Sequence, residues 1–204
     1  MLIAIEGLDG SGKTTQARLL VEHLRQEGKD VLLVEEPGAT PVGREIRRLL
    51  LEHGGEIEPL AELLLYEASR AQLVRRVVRP ALAAGKIVIA DRFALSSVAY
   101  QGYGRGLPLE LVLQLNAIAT GGLEPELTIL LDIPPEEGLR RKARPAGRAL
   151  DRLEGAGLEF LRRAHEGYLK AVPPPPTGQV LDARASSEEL HRQVVALVAA
   201  SLRA

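Results

Sequence analysis

The chain has no cysteine, and its only methionine is the first residue. Without cysteine there is no disulfide, no thiolate nucleophile and no cysteine-bound zinc. No apolar run approaches the roughly 20 residues that span a bilayer, and no basic stretch precedes the first apolar run, so neither a membrane span nor a secretory leader is expected. The net charge of -1 gives no bulk electrostatic case for a nucleic-acid or membrane partner. Asparagine occurs once and lysine five times, against twenty-one arginines. Few thermolabile side chains agree with a thermophilic source, and a GC-rich genome would enrich arginine as well. At 204 residues the expectation is one cytoplasmic domain, residues 1–204.

What is present starts with Gly7-Leu8-Asp9-Gly10-Ser11-Gly12-Lys13-Thr14-Thr15, which fits G-x-x-x-x-G-K-[ST]. The apolar run Leu2–Ile5 precedes it, and Lys13–Arg25 has helical apolar spacing after it. Strand, glycine turn and helix in that order form a phosphate cradle: curled backbone N–H groups and a helix N-terminus face an anion. Lys13 is placed to reach the outer phosphates of a nucleoside triphosphate, and the Thr14 hydroxyl to bind Mg2+.

Further strand-like runs follow at Val31–Val34, Ile87–Ala90, Leu127–Leu131 and Gln179–Leu181, with helical patterns between them. The alternation predicts a doubly wound α/β sheet. Pro59–Ala84 reads as one long helix interrupted near Pro80, and a last helix starts near Ser186 or Ser187.

Chemistry-bearing residues fall where strands end, the usual place for ligands in open α/β sheets. Glu36 sits in the turn Glu35-Glu36-Pro37-Gly38 after the second strand. An arginine of the stretch Arg44 to Arg48 is a phosphate candidate. Tyr66 and Arg70 share a helix face at i, i+4. Asp91 is placed to hold Mg2+ or its water, and Arg92 to donate two parallel hydrogen bonds to phosphate. Ser96 to Gly106 reads as a binding loop. From Gly138 to Glu154 six residues are Arg or Lys, interrupted by Pro145 and Gly147. Such a segment repels itself, which suits a lid that orders on polyanionic phosphates.

Together these motifs resemble the thymidylate kinase family over nearly the whole chain. They are the phosphate loop, Glu36-Pro37-Gly38-Ala39-Thr40, the helix with Arg70-Ala71-Gln72, Asp91-Arg92-Phe93, Ser96-Ser97-Val98-Ala99-Tyr100-Gln101-Gly102 and Asp151-Arg152-Leu153-Glu154. The resemblance implies a P-loop NTPase fold of the nucleoside monophosphate kinase kind: a five-stranded parallel sheet flanked by helices, with a short basic lid. It implies ATP as donor, dTMP as acceptor, Mg2+ as cofactor and a homodimer. Tyr66 stands where the family usually has Phe stacked on thymine. Arg70 would donate to thymine O4, and Ser97 and Gln101 would hydrogen-bond the base. Tyr100 would pack under the sugar, and Asp9 would take the 3'-hydroxyl. Arg92 and Arg47 would hold the acceptor phosphate. Arg141 and Arg184 would flank adenine, and Arg152 would anchor the lid. The phosphate loop has Gly10 and Ser11 and no Arg, so the chain resembles the bacterial type, with Arg144 and Arg148 as the catalytic lid arginines.

A monophosphate acceptor is already anionic near neutral pH, so no general base is needed. The excess of arginine over candidate bases, Asp9 and Glu36, favours a nucleotide over a nucleoside acceptor. Two alternatives remain at this stage: another nucleoside monophosphate or deoxynucleoside kinase, and a nucleotide-dependent regulatory ATPase. The guanine-reading stretch Asn-Lys-x-Asp is absent.

Overall fold

A computed structural model gives the structure of the protein and describes residues 1–53, 55–143 and 156–203. Five strands, β1 (Leu2–Glu6), β2 (Val31–Glu35), β3 (Ile87–Asp91), β4 (Leu127–Asp132) and β5 (Gly178–Asp182), pair in parallel in the order β2-β3-β1-β4-β5. Each of the five expected runs is one of these strands. The central strands read as continuous apolar runs because helices cover both faces. Ile3, Ile5, Ile89, Ile129 and Leu131 face helices α1 (Lys13–Gln26), α8 (Leu158–Ala171) and α9 (Ser187–Ser201). Leu2, Ala4, Val88 and Ala90 face the layer that holds Leu73, Val74 and Val78. This is the P-loop NTPase fold of the nucleoside monophosphate kinase kind.

The remaining helices are α2 (Pro41–Glu52), α3 (Pro59–Leu73), α4 (Arg79–Ala83), α5 (Ala94–Ser97), α6 (Leu109–Thr120) and α7 (Pro135–Ala143). The helix expected from Pro59 to Ala84 is α3 and α4 joined through a π-helical turn, Val74–Val78, in which the Arg79 N–H bonds to the Val74 carbonyl. Pro80 has no N–H to give the carbonyl four residues back, so the ladder widens there. The last helix starts as expected: the Ser186 hydroxyl caps it by accepting from the Glu189 N–H at 3.2 Å.

One expectation is corrected. Ser96 to Gly106 is not a loop but α5 followed by a second π-helical stretch, Val98–Gly104, most of it buried. Its glycines make this possible: a Cβ at Gly104 would lie 2.7 Å from the Phe160 ring of α8.

Strand register gathers the acidic strand ends on one edge. Asp91 pairs with Ile5 and with Glu35, and Asp132 pairs with Asp182. The phosphate loop and the turns after β2 and β3 leave from this edge. Among the described residues no helix is long and apolar enough to cross a membrane.

Candidate active site

The phosphate loop leaves β1 at this edge. Gly12, at φ 92°, caps α1, a conformation that costs an L side chain strain, and it turns the first N–H groups of α1 outward. Lys13 Nζ donates to the Leu8 carbonyl at 2.8 Å and lies 3.7 Å from Asp9. Burial, aided by Arg92, lowers its pKa to about 8. The Thr14 hydroxyl donates to Asp91 Oδ2 at 2.5 Å. Two hard oxygen donors side by side on the cavity wall suit Mg2+, which takes one or two protein oxygens and completes its shell with water and phosphate.

Arg92 follows β3 and is the only non-glycine residue with positive φ among those described, at 73°. The strained backbone aims its guanidinium back across the phosphate loop. Nη1 donates to the Gly7 carbonyl and to the Tyr168 hydroxyl, each at 2.9 Å, and Nη2 to Asp9 Oδ1 at 2.5 Å. Burial raises the cost of the Asp9 charge, but Arg92, Lys13 and Lys142 outweigh it and hold the carboxyl well below the usual range. Below this group lies Glu6, fully buried at the end of β1. It accepts from the Phe93 N–H at 2.8 Å and from the Ser96 hydroxyl at 2.6 Å. Glu6 thereby ties β1 to the start of α5.

Arg70 anchors a second cluster. Its Nη1 donates to Glu67 at 2.6 Å, Asn116 Oδ1 at 2.5 Å and Ser97 Oγ at 3.0 Å, and its Nη2 lies 2.5 Å from Glu36 Oε1. The Glu36 contact is an ion pair by distance, but its angles fall outside hydrogen-bond geometry, so neither Glu36 oxygen has an aligned donor among the described residues. Burial raises the Glu36 pKa to about 7 against the pull of Arg70. Glu36 and Glu67 both pair with this one guanidinium, and the Glu67 charge adds to the cost of ionising Glu36.

One cavity of about 900 Å³ joins the two clusters. Asp9, Gly10, Gly12, Lys13, Thr14, Thr15 and Asp91 line it, with Glu36, Arg47, Tyr66, Arg92, Ser97, Tyr100, Gln101 and Arg141. Most residues expected at the site therefore share one space. Arg47 reaches in from α2, donating to the Pro37 carbonyl at 2.8 Å. Arg70 does not line the cavity; two carboxylates draw it behind Ser97 and Glu36. Arg141 Nη1 donates to the Ala183 carbonyl at 2.8 Å, so α7 and the loop after β5 do meet. Arg184 is exposed and forks onto Asp182, with contacts at 2.9 and 2.7 Å. Arg144, Arg148 and Arg152, with most of the expected lid, lie outside the described residues.

Sequence reasoning missed the supports: Glu6, Glu62, Glu67, Asn116 and Tyr168. Two carried a signal. Asn116 is the only asparagine of the chain, on a helix made mostly of apolar residues. Tyr168 is one of six aromatic residues.

The thymidylate kinase family model matches residues 5–194. The chain is 57% identical to a Synechococcus thymidylate kinase over 168 residues, 82% of this chain and 79% of that one. It is 50% identical to the thymidylate kinase of Deinococcus radiodurans, with 97% and 96% covered, and 49% identical to that of Chlorobium luteolum, with 96% and 95% covered. A fold, a phosphate loop and a family match over almost its full length agree: the chain belongs to the thymidylate kinase family.

Proposed function

We propose that the protein transfers the γ-phosphoryl group of ATP to dTMP, giving dTDP and ADP. A single cavity that runs from Lys13 and Thr14 to Tyr66, Ser97 and Gln101, with Arg92 and Arg47 on its wall, carries this reading. A donor phosphate on the loop and an acceptor phosphate at the arginines would face each other in one enclosed space, and positioning of that kind supplies most of phosphoryl-transfer catalysis.

An oxygen of the dTMP phosphate attacks the γ-phosphorus, and the bond from that phosphorus to the bridging β-oxygen breaks. The attacking oxygen is already ionised, so no side chain removes a proton. Lys13 and the loop N–H groups hold the donor phosphates, together with Gly7, Leu8, Gly10, Ser11, Gly12 and Thr15. Arg92 neutralises the charge between the two phosphates, and Asp9 keeps it aimed while taking the sugar 3'-hydroxyl. Thr14 and Asp91 would hold Mg2+, which would neutralise charge on the donor phosphates. Tyr66 stacks on the base, Tyr100 packs under the sugar, and Arg47 holds the acceptor phosphate. Arg70 acts on O4 from behind Ser97, whose hydroxyl oxygen accepts from it on the cavity wall. Arg141 and Arg184 flank adenine. Residues 138–154 act as the lid within one domain, and Arg144 and Arg148 bring the catalytic charge that the phosphate loop lacks. We place the enzyme in the cytoplasm, without nucleic-acid or membrane partners.

Large exposed apolar residues on α2, α3 and α6, among them Leu49, Leu64, Leu113 and Ile118 at 71% exposure, support a homodimer through these neighbouring helices.

The test is a coupled assay for ADP with ATP, Mg2+ and each nucleoside monophosphate and deoxynucleoside in turn. Turnover confined to dTMP and, more weakly, dUMP is expected. Turnover of another acceptor in preference, or ATP hydrolysis with no acceptor dependence, overturns the proposal and points to the other kinases or to a regulatory ATPase.

A further inference from the structure

We infer that Glu62 is a positioning residue that sets base choice by fixing which way the Gln101 amide faces. This rests on the kinase reading above. Glu62 lies in α3 with no exposed surface. Its Oε1 accepts from Gln101 Nε2 at 2.7 Å, and its Oε2 from Arg105 Nη2 at 3.0 Å. Arg105 is itself held over the Phe160 ring at 4.5 Å. A carboxylate paired with a guanidinium only accepts, so it binds the NH2 end of the amide and never the carbonyl end.

That leaves Gln101 Oε1. Gln101 lines the cavity. Its Oε1 has no partner among the described residues, yet it is not among the polar atoms sealed from solvent, as the Tyr100 hydroxyl is. The amide therefore offers the cavity an acceptor. Beside it stands Ser97, whose oxygen already accepts from Arg70, so its O–H, like the guanidinium behind it, is a donor. The wall thus reads donor, then acceptor. A pyrimidine with a 4-oxo group and an N3–H matches both positions. Cytosine, with a 4-amino group and a bare N3, opposes both. Turning the Gln101 amide over would suit cytosine at N3, but it would set its carbonyl against a buried carboxylate. Glu62 thus keeps the protein from reading cytosine without touching any nucleotide.

The experiment compares dTMP, dCMP and N3-methyl-dTMP as acceptors for the wild type and Glu62→Gln, which can donate or accept and so releases the amide. The variant is expected to raise KM for dTMP roughly tenfold, the size of one hydrogen bond, with kcat changed less. The preference for dTMP over dCMP, and the penalty for the N3-methyl group, should each shrink by a similar factor. A general loss of activity with both ratios unchanged overturns the inference while leaving the kinase reading intact. Should Glu62→Gln not fold, the wild type still decides. Hydrogen exchange by NMR should show the Gln101 side-chain NH2 protected both before and after dTMP binds, and loss of that protection on binding overturns it.

Discussion

Gly10 and Gly138 meet backbone to backbone. A Cβ at Gly10 would lie 2.3 Å from the Gly138 carbonyl oxygen, and one at Gly138 would lie 2.5 Å from the Asp9 carbonyl oxygen. The phosphate loop thus rests directly on α7, the helix that carries Arg141 toward the basic segment. Gly10 also sits at φ 82°. Placing an arginine in the loop, as Gly10→Arg, should therefore lose activity: the side chain must lift α7 or collapse the loop. Overpacking of this kind costs about 1–3 kcal/mol, which, if lost from transition-state binding, converts to about 5- to 150-fold in kcat/KM for ATP. Gly138→Ala should act in the same direction, with KM for dTMP the least changed. Unaltered ATP kinetics in both variants would sink the contact as a determinant.

Thr14 and Asp91 provide the second test. They are 2.5 Å apart and line the cavity, yet they come from elements 77 residues apart in the chain. Asp91→Asn keeps the shape and removes the charge. The Mg2+ concentration for half-maximal rate should rise about 10- to 100-fold, as when metal-orienting groups are lost, while the KM for dTMP holds. A titration with an unchanged Mg2+ midpoint would assign Asp91 to the support of Thr14 alone.

The helices that flank the sheet yield a third. Leu64 of α3 is 47% exposed and Leu113 of α6 is 56% exposed, and the two helices pack side by side. Leu64→Asp together with Leu113→Asp should halve the mass seen by light scattering if this face joins two copies. A monomeric wild type at micromolar concentration rules the homodimer out.

The sequence made the strands and the phosphate loop legible because each is encoded locally: an apolar run, a glycine spacing, a helix start. Asp91 and Arg92 were legible because a charged pair ending an apolar run is conspicuous. What stayed hidden depends on contacts far apart in sequence. Nothing near Glu62 indicates that it meets Gln101, and nothing near Glu6 indicates that it ties β1 to Ser96, 90 residues on. The stretch from Ser96 to Gly106 misled for a related reason. Its glycines and polar residues have loop composition, but Gly102 and Gly104 serve close packing, on Leu109 and Phe160, and only Gly106 serves a turn, at φ 77°. Arg70 was found by its motif, and its pairing with Glu67 is local, at i, i+3, yet its pairing with Glu36 follows only from the packing of α3 against the turn after β2.

The Glu36 carboxyl makes stability depend on pH. Its pKa is raised from 4.5 to about 7, chiefly by burial. Below 4.5 it is protonated in both folded and unfolded chains and its contribution is complete. Between 4.5 and 7 the unfolded chain releases the proton while the folded protein retains it, so stability falls as pH rises, and the loss is finished above 7. Glu36→Gln stays neutral throughout and removes this slope. The Tm of the wild type minus that of the variant should decrease between pH 5 and pH 7.5. A difference that is flat or grows over that interval contradicts a protonated Glu36.

Lys13 makes nucleotide binding depend on pH instead. Burial, reinforced by Arg92, lowers its pKa to about 8 in the nucleotide-free protein. Just above pH 8 much of the protein therefore has a neutral lysine facing the phosphate loop. Phosphate oxygens restore the advantage of the charged form, so binding must draw in a proton there. Calorimetry of ADP binding at pH 8.5, in two buffers that differ in ionisation enthalpy, should reveal net proton uptake. At pH 6.5, where Lys13 is already charged, its share of the uptake should vanish, and Lys13→Met should show none at pH 8.5. Equal heats in both buffers at pH 8.5 would mean that Lys13 keeps its proton without nucleotide, and that Asp9 and Asp91 beside it outweigh the cost of its burial.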